Sequence, residues 1–366
     1  MLANRKLRCL KLWRETEKVE IASYAMAMST RIRSFLLMLD QLIAAVPLAL
    51  GSENGVLLSF LFHSLYKDAD EPRSGLIDPQ QEITVEMFRQ FVDHFQQHEY
   101  TFVSQADLVR GLWPGGKYVL VTFDDGYHNN VRALPVLNEF NVPAVFFIST
   151  GYVKEGKAFW WDAARRETHK RGMPKEKVDR LFADLKRLRT VEAETQLKKE
   201  FGDGALQPVS DLDRPFTPAE LGDFAKHPLV SFGNHTCDHA ILPNYSETEV
   251  RLQIQSAQDD IFSMTGKRAE MIAYPNGNES PAVVDAARSL GLRLGVGVEP
   301  GRNRLPLELG SRDAMTLKRF TLNTGSAIEA QCRTSRSGLS LYRSARSVKL
   351  KTHASYCSAR PGDSLD

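Results

Sequence analysis

Two small clusters carry the chemical content of this chain. Asp124 and Asp125 stand side by side before Gly126, and His235 and His239 stand four apart. Adjacent residues leaving a strand point in different directions, so one aspartate can ligate a metal while the other handles a proton. Asp-Asp-Gly is also ordinary turn chemistry, because aspartate bonds its own backbone and glycine accepts a positive φ. Neutral imidazoles four apart on a helical turn can both reach one metal; two nearby histidines can equally be surface or capping residues. Taken together, His235, His239 and Asp125 compose a His-His-carboxylate set that leaves room for water, as catalytic zinc sites do. A metal held there lowers the pKa of water to roughly 7 and polarises a carbonyl. Asp124 is then free to act as general base on that water.

These side chains need elements to position them. Residues 117–123 are apolar and β-prone and read as an inner strand. Residues 129–139 read as a helix and 143–148 as the next strand, so the aspartates fall at the carboxyl end of a strand in a βαβ unit. That is where α/β folds place their chemistry. The histidine pair follows a strand over 229–233, and in a parallel sheet all such ends lie on one face. Further strands are expected at 56–62, 100–103, 271–274, 292–298 and 317–322. Helix starts are marked at Thr84, at Ser104 with Asp107, at Thr217-Pro218-Ala219-Glu220, at Ser246 with Glu249, and at Ser280-Pro281. The alternation from 56 to 322 gives seven or eight βα units, an α/β barrel or a close variant. Residues 153–215, rich in Lys, Arg and Glu, read as a helical insertion with a helix at 178–188. Phe159-Trp160-Trp161-Asp162 opens it, as a staple to the core or as a sugar-stacking platform.

The whole chain of 366 residues is 42% hydrophobic and 25% charged, with net charge +2. So small a net charge argues against a dedicated nucleic-acid binder. Cys9, Cys237, Cys332 and Cys357 are scattered without Cys-x-x-Cys spacing, which argues against a zinc ribbon or disulfide framework. Cys237, between the two histidines, is expected to point away from a metal and pack. Residues 1–54 form an N-terminal extension. Within it, 35–50 is apolar, follows Arg31 and Arg33, is interrupted by Asp40 and Gln41, and contains Pro47. It is shorter than the ~20 residues that span a bilayer. The expectation is an amphipathic helix packed on the domain or lying on a membrane surface, a peripheral contact through residues 31–50. A signal peptide cleaved near Ala49-Leu50-Gly51 is the alternative. A cytoplasmic location is expected, with export or membrane periphery as the alternative. The Ser- and Arg-rich tail, 323–366, lacks hydrophobic periodicity and is expected to be disordered. His94, His98, His128, His169 and His227 fall on helices or polar loops and are expected at the surface.

Thr122-Phe123-Asp124-Asp125-Gly126 and His235-Thr236-Cys237-Asp238-His239 resemble the first two motifs of the polysaccharide deacetylases, carbohydrate esterases of the nodulation chitooligosaccharide deacetylase type. Ala273-Tyr274-Pro275-Asn276-Gly277 resembles the third motif in the Phe-Ala-Tyr-Pro variant of that family. Residues 291–301 and Leu317-Lys318-Arg319-Phe320 resemble its closing strands. The resemblance covers 55–322. It implies a distorted (β/α)7-8 barrel and metal-dependent removal of N-acetyl groups from N-acetylglucosamine-type poly- or oligosaccharides. Carried over by residue, Asp124 matches the catalytic base. Asp125, His235 and His239 match the ligands of a divalent metal, usually zinc, sometimes cobalt. The backbone N–H near Asn276 matches a donor to the oxyanion, and Tyr127 is placed with it on the substrate side.

Two departures from the family pattern matter. Ala273 stands where many members carry an arginine that orients the catalytic aspartate; Arg319 could reach in instead, or be a strand-end cation. The late histidine of a Leu-x-His motif has no counterpart, since the only later histidine is His353. His63, after the first strand, matches relatives with a histidine there and is expected to protonate the leaving amine; a structural histidine is the alternative. These departures leave two other readings open: a non-catalytic carbohydrate-binding relative, and a hydrolase of a small non-sugar amide.

Overall fold

The computed structural model describes residues 35–340. They fall into two compact units, one of 53–335 and one of 35–52 with 336–340.

The larger unit is built on β1 (Val56–Phe62), β2 (Thr101–Phe102), β3 (Lys117–Phe123), β4 (Ala144–Ile148), β5 (Val230–Asn234), β6 (Met271–Ala273), β7 (Leu294–Val296), β8 (Asn303–Arg304) and β9 (Arg319–Thr321). β1 reads VLLSFLF and is buried along its whole length. Such continuous apolar runs are required of parallel strands covered on both faces. The sheet runs β7-β6-β5-β4-β3-β1-β8, with β2 on β3 and β9 on β1. All these pairings are parallel except β8 on β1. A parallel bridge between Val296 and Leu317 carries β7 over to the segment leading into β9, which nearly closes the sheet into a barrel.

The alternation of side chains along the strands makes two cores. Leu58, Phe60, Phe62, Val119, Val121, Phe123, Phe146 and Phe232 pack against the surrounding helices. The intervening residues Leu57, Leu120, Val145, Phe147, Met271 and Val296 fill the opposite, interior face. On the helix side, Phe91 of the helix Val85–Gln97 meets Phe60, Phe62 and Phe95 with ring centroids 4.7, 5.2 and 5.2 Å apart. That helix opens as expected, with Thr84 accepting from the Met87 N–H. Ser104 with Asp107, Thr217 with Glu220 and Ser246 with Glu249 form the expected capping boxes.

Five differences from the sequence reading are local. The expected helix at 129–139 is a 3-10 turn, His128–Ala133, followed by the α-helix Leu134–Phe140, which restarts with Pro135 in its first turn. The insertion carries the helices Trp160–Lys170, Lys175–Leu185 and Thr190–Phe201, the second beginning directly after Pro174. Between β7 and β9 lies a short antiparallel strand, β8, too brief to show a period of two. The tail is helical over Ile328–Ser337, where expected disorder is corrected: Ile328 and Cys332 bury one turn's worth of apolar surface, too short a repeat to register as periodicity. His94 is also buried rather than at the surface, stacked on His98.

In the smaller unit, residues 35–49 are helical. Phe35, Met38, Leu42 and Val46 are exposed at spacings of three and four, while Asp40 is buried and accepts a hydrogen bond from the Ser340 hydroxyl at 2.7 Å. Among the described residues no helix is long and apolar enough to cross a membrane. The expectations for Arg31, Arg33, Cys9, Cys357, His353 and the tail beyond 340 lie outside the described residues.

Candidate active site

The paired aspartates leave β3 at its carboxyl end. Residues 120 and 122 face the barrel interior, so the same alternation carries Asp124 inward. Asp125 then turns away with φ +77°, and Gly126 follows with φ +91°. The second left-handed position favours glycine, since φ +91° strains any residue with a side chain, and a Cβ there would also crowd Ile148 Cδ1 at 3.2 Å.

Arg319 enters from β9 on the same interior face and is fully buried. Its Nη1 and Nη2 donate to the two carboxylate oxygens of Asp124 at 2.7 and 2.8 Å. Nη1 also donates to Thr122 Oγ1 at 3.0 Å, and Nε to the Gly297 carbonyl at 2.7 Å, so the guanidinium is fixed on three sides. The two-pronged geometry is the strong form of an arginine–carboxylate bond. Burial pushes the Asp124 carboxyl up, but Arg319, with His235 and His63 nearby, holds it below the usual carboxylate range.

The histidines come from the loop after β5. That loop is laced down by its neighbours: Asn234 Nδ2 donates to the Ile254 carbonyl, Asn234 Oδ1 accepts from the Thr236 N–H, and Asp238 exchanges two bonds with Gln253. Thr236 and His239 both take positive φ, +62° and +49°, a clustering of left-handed backbone common at functional sites. His235 Nδ1 donates to the Ala273 carbonyl at 2.8 Å, which leaves Nε2 as its free nitrogen. Nε2 of His235 and Nε2 of His239 lie 3.3 and 3.4 Å from the same oxygen, Oδ1 of Asp125. One ligand atom from each of these three buried residues lies within 4.8 Å of the others. Burial lowers the His239 imidazole to about 3, so it is neutral at ordinary pH. Burial raises the Asp125 carboxyl, but His235, His63 and His239 around it hold it well below the usual range.

A buried carboxylate oxygen aimed at two imidazole nitrogens should be satisfied. Among the described residues Asp125 Oδ1 has no hydrogen-bond partner, and neither has His239 Nδ1. Two imidazole nitrogens and one carboxylate oxygen converging on a point suit a divalent cation, and a cation is what that orphaned oxygen lacks.

His63 follows β1 and is close enough to Asp124, Asp125 and His239 to act on each electrostatically. Asn130 Nδ2 donates to its carbonyl at 2.7 Å and pins it to the turn after the aspartates. Asn276, at the end of β6, is exposed and takes φ +55°. It borders a cleft of about 490 Å³ shared with Ile241, Pro243, Asn244 and, from the insertion, Lys186 and Arg187.

Tyr127 departs from its expected place on the substrate side. It is buried, and its hydroxyl is committed: it donates to Asp162 Oδ2 at 2.7 Å and accepts from Trp161 Nε1 at 2.8 Å. Trp161 in turn lies against His239, ring centroids 4.4 Å apart. The aromatic run at 159–161 is buried with Leu181, Leu185 and Leu197, which is the staple of the two readings rather than an open platform. The support that Tyr127, Trp161 and Asp162 give to His239 was missed from sequence; an acidic residue inside an aromatic run was its one visible sign. Cys237 stays out of the ligand cluster, half-buried, with its thiol pushed up to about 12 by burial.

A family model described as polysaccharide deacetylase matches residues 113–295, half of the chain. YxkH of Bacillus subtilis (strain 168), whose name places it in the same family, is 23% identical over 189 residues, 51% of this chain and 47% of that protein. The chain thus spans about half the length of that curated relative. Among solved structures, the deacetylase PplD of Streptococcus pyogenes, in complex with acetate, superposes with a TM-score of 0.52 at 17% identity, covering 76% of this chain and 98% of that one. IcaB from Ammonifex degensii gives 0.51 at 17% identity, over 77% and 97%. At such identities the structural likeness shows the shared barrel fold.

Proposed function

From the premise that this chain belongs to the polysaccharide deacetylase family, we propose that it is a zinc-dependent hydrolase that removes N-acetyl groups from N-acetylglucosamine-type poly- or oligosaccharides. The observation that carries this reading is the Arg319-clamped Asp124 beside the converging Asp125, His235 and His239.

Asp125, His235 and His239 would hold the metal, with cobalt or another divalent ion as a substitute. A divalent ion bound there lowers the pKa of water to about 7 and polarises the acetamide carbonyl. Asp124 takes the proton from the attacking water; it is ionised and aimed because Arg319 grips both its oxygens. The backbone N–H near Asn276 supports the oxyanion that forms on the carbonyl oxygen. His63 gives a proton to the sugar nitrogen as the C–N bond breaks, so acetate and a free amine leave. Arg319 takes the orienting place that Ala273 leaves vacant.

The cleft past Asn276, with Lys186 and Arg187 on its rim, favours a substrate longer than a simple amide. A hydrolysis screen decides this: acetate should be released from N-acetylated chitooligosaccharides and from poly-N-acetylglucosamine, and not from acetanilide-type amides. Turnover of the simple amides alone would overturn the carbohydrate assignment. Tight sugar binding with no acetate from any acetylated glycan would make this a binding relative instead.

A further inference from the structure

The hydrogen bond at the back of His63 fixes more than the ring's position. Nδ1 of His63 lies 3.1 Å from Oε1 of Gln81. The other end of the same amide, Nε2 of Gln81, donates to the Leu61 carbonyl at 2.7 Å. A carbonyl oxygen can only accept, so the amide has one acceptable orientation: nitrogen towards Leu61, oxygen towards His63. An amide oxygen also only accepts, so His63 Nδ1 must carry the proton between them.

The backbone around Gln81 is arranged to present it. Gln80 and Glu82, on either side, both take left-handed φ, +46° and +56°, which non-glycine residues adopt rarely and at some cost. The loop is held in that shape against the segment that follows β1. Tyr66 N–H donates to the Ile83 carbonyl at 3.0 Å, Val85 N–H to the Tyr66 carbonyl at 2.8 Å, and Tyr66 Oη to the Pro79 carbonyl at 3.3 Å. One strand end thus carries the histidine while a strained loop clamped to that same segment carries its acceptor.

We propose that Gln81 is a positioning residue that fixes His63 in the Nδ1–H form and leaves Nε2 as its working nitrogen. The proposal rests on the reading of His63 as the acid of the deacetylation. With Nδ1 engaged by Gln81, only Nε2 can turn towards the side holding Asp124, Asp125 and His239. In the acid step the Nε2–H bond breaks and an N–H bond forms on the departing amine. The ring returns to neutrality with its remaining proton at Nδ1, where Gln81 Oε1 receives it. The other neutral tautomer would set a bare Nδ1 against Gln81 Oε1, two acceptors facing each other.

Nitrogen-15 NMR of the zinc-loaded, histidine-labelled protein tests this at a pH where the ring is neutral. The His63 resonances are assigned by their loss in His63→Gln. The wild type should show the Nδ1–H form. Gln81→Leu should move it to the Nε2–H form that free histidine prefers, and Gln81→Glu, which keeps an acceptor, should retain Nδ1–H. A wild-type ring in the Nε2–H form, or a ring unmoved in Gln81→Leu, overturns the proposal. On an N-acetylated chitooligosaccharide, kcat of Gln81→Leu should fall about 10- to 100-fold with KM within about two-fold, and Gln81→Glu should recover most of it. An unchanged kcat in a Gln81→Leu protein whose tautomer has moved also overturns it. Full kcat in His63→Gln would instead remove the acid reading, and the tautomer result would still decide what Gln81 does.

Discussion

Asp124 and Arg319 are both buried, and each is the other's main charge partner. Removing one side of such a pair strands the other. Arg319→Met is therefore expected to destabilise the protein by about 3–5 kcal/mol in urea unfolding and to remove nearly all activity. Arg319→Lys keeps the charge but not the two-pronged grip, and its kcat should fall about 100-fold while the fold survives. An Arg319→Lys enzyme with full kcat would show that the grip does not aim Asp124. The metal triangle makes a separate prediction: Asp125→Ala and His235→Ala should each lose tight zinc binding by equilibrium dialysis and acetate release together. At this scale the sequence was most readable where the chemistry is compact. Asp124-Asp125-Gly126 and the His235–His239 pair are short motifs whose spacing already implies their geometry. Arg319 could be named only as a candidate, because 195 residues separate it from Asp124 and only the closing of the barrel brings them together. Tyr127 was misplaced because its neighbours in sequence face the site, whereas its hydroxyl is claimed by a residue of the insertion.

The elements hold these residues through packing and caps. Phe91 touches five other phenylalanines between the helix Val85–Gln97 and the strands β1 and β2. Phe91→Ala should cost about 3–5 kcal/mol of stability, since the cage around it is too rigid to collapse. Glu220 caps the helix Pro218–Phe224 and bonds Arg214, and these partners lower its pKa to about 2. Because the folded pKa lies below the unfolded value of about 4.3, the stability it adds is present in full above that value. It is lost as pH falls towards about 2. The difference in melting temperature between wild type and Glu220→Gln should accordingly be present at neutral pH and shrink through that acid window; a difference constant across it would refute the linkage. Strands and caps of this kind were legible because each has a local cause: an apolar run, or a Ser/Thr with an acid three residues on. β8 and the helix Ile328–Ser337 were not, because each is held by contacts with distant strands and core residues rather than by its own pattern.

The barrel as a whole exists to bring three strand ends, β1, β3 and β5, to one rim with β9 closing behind them. Its class followed from the alternation of strands and helices; its closure through Leu317 did not, since one bridge between two short segments leaves no trace in hydropathy. A site assembled only by the closed barrel couples metal to fold. Zinc at 100 times its dissociation constant should stabilise the wild type by about 2.7 kcal/mol, read as a rise in melting temperature, and should leave Asp125→Ala unmoved. Most direct is acetate release from N-acetylated chitooligosaccharides before chelation, after chelation and after zinc is restored. Acetate and free amine should appear in equal amounts, vanish with the chelator and return with zinc. Release that continues undiminished in the chelated protein would contradict a metal-dependent deacetylase.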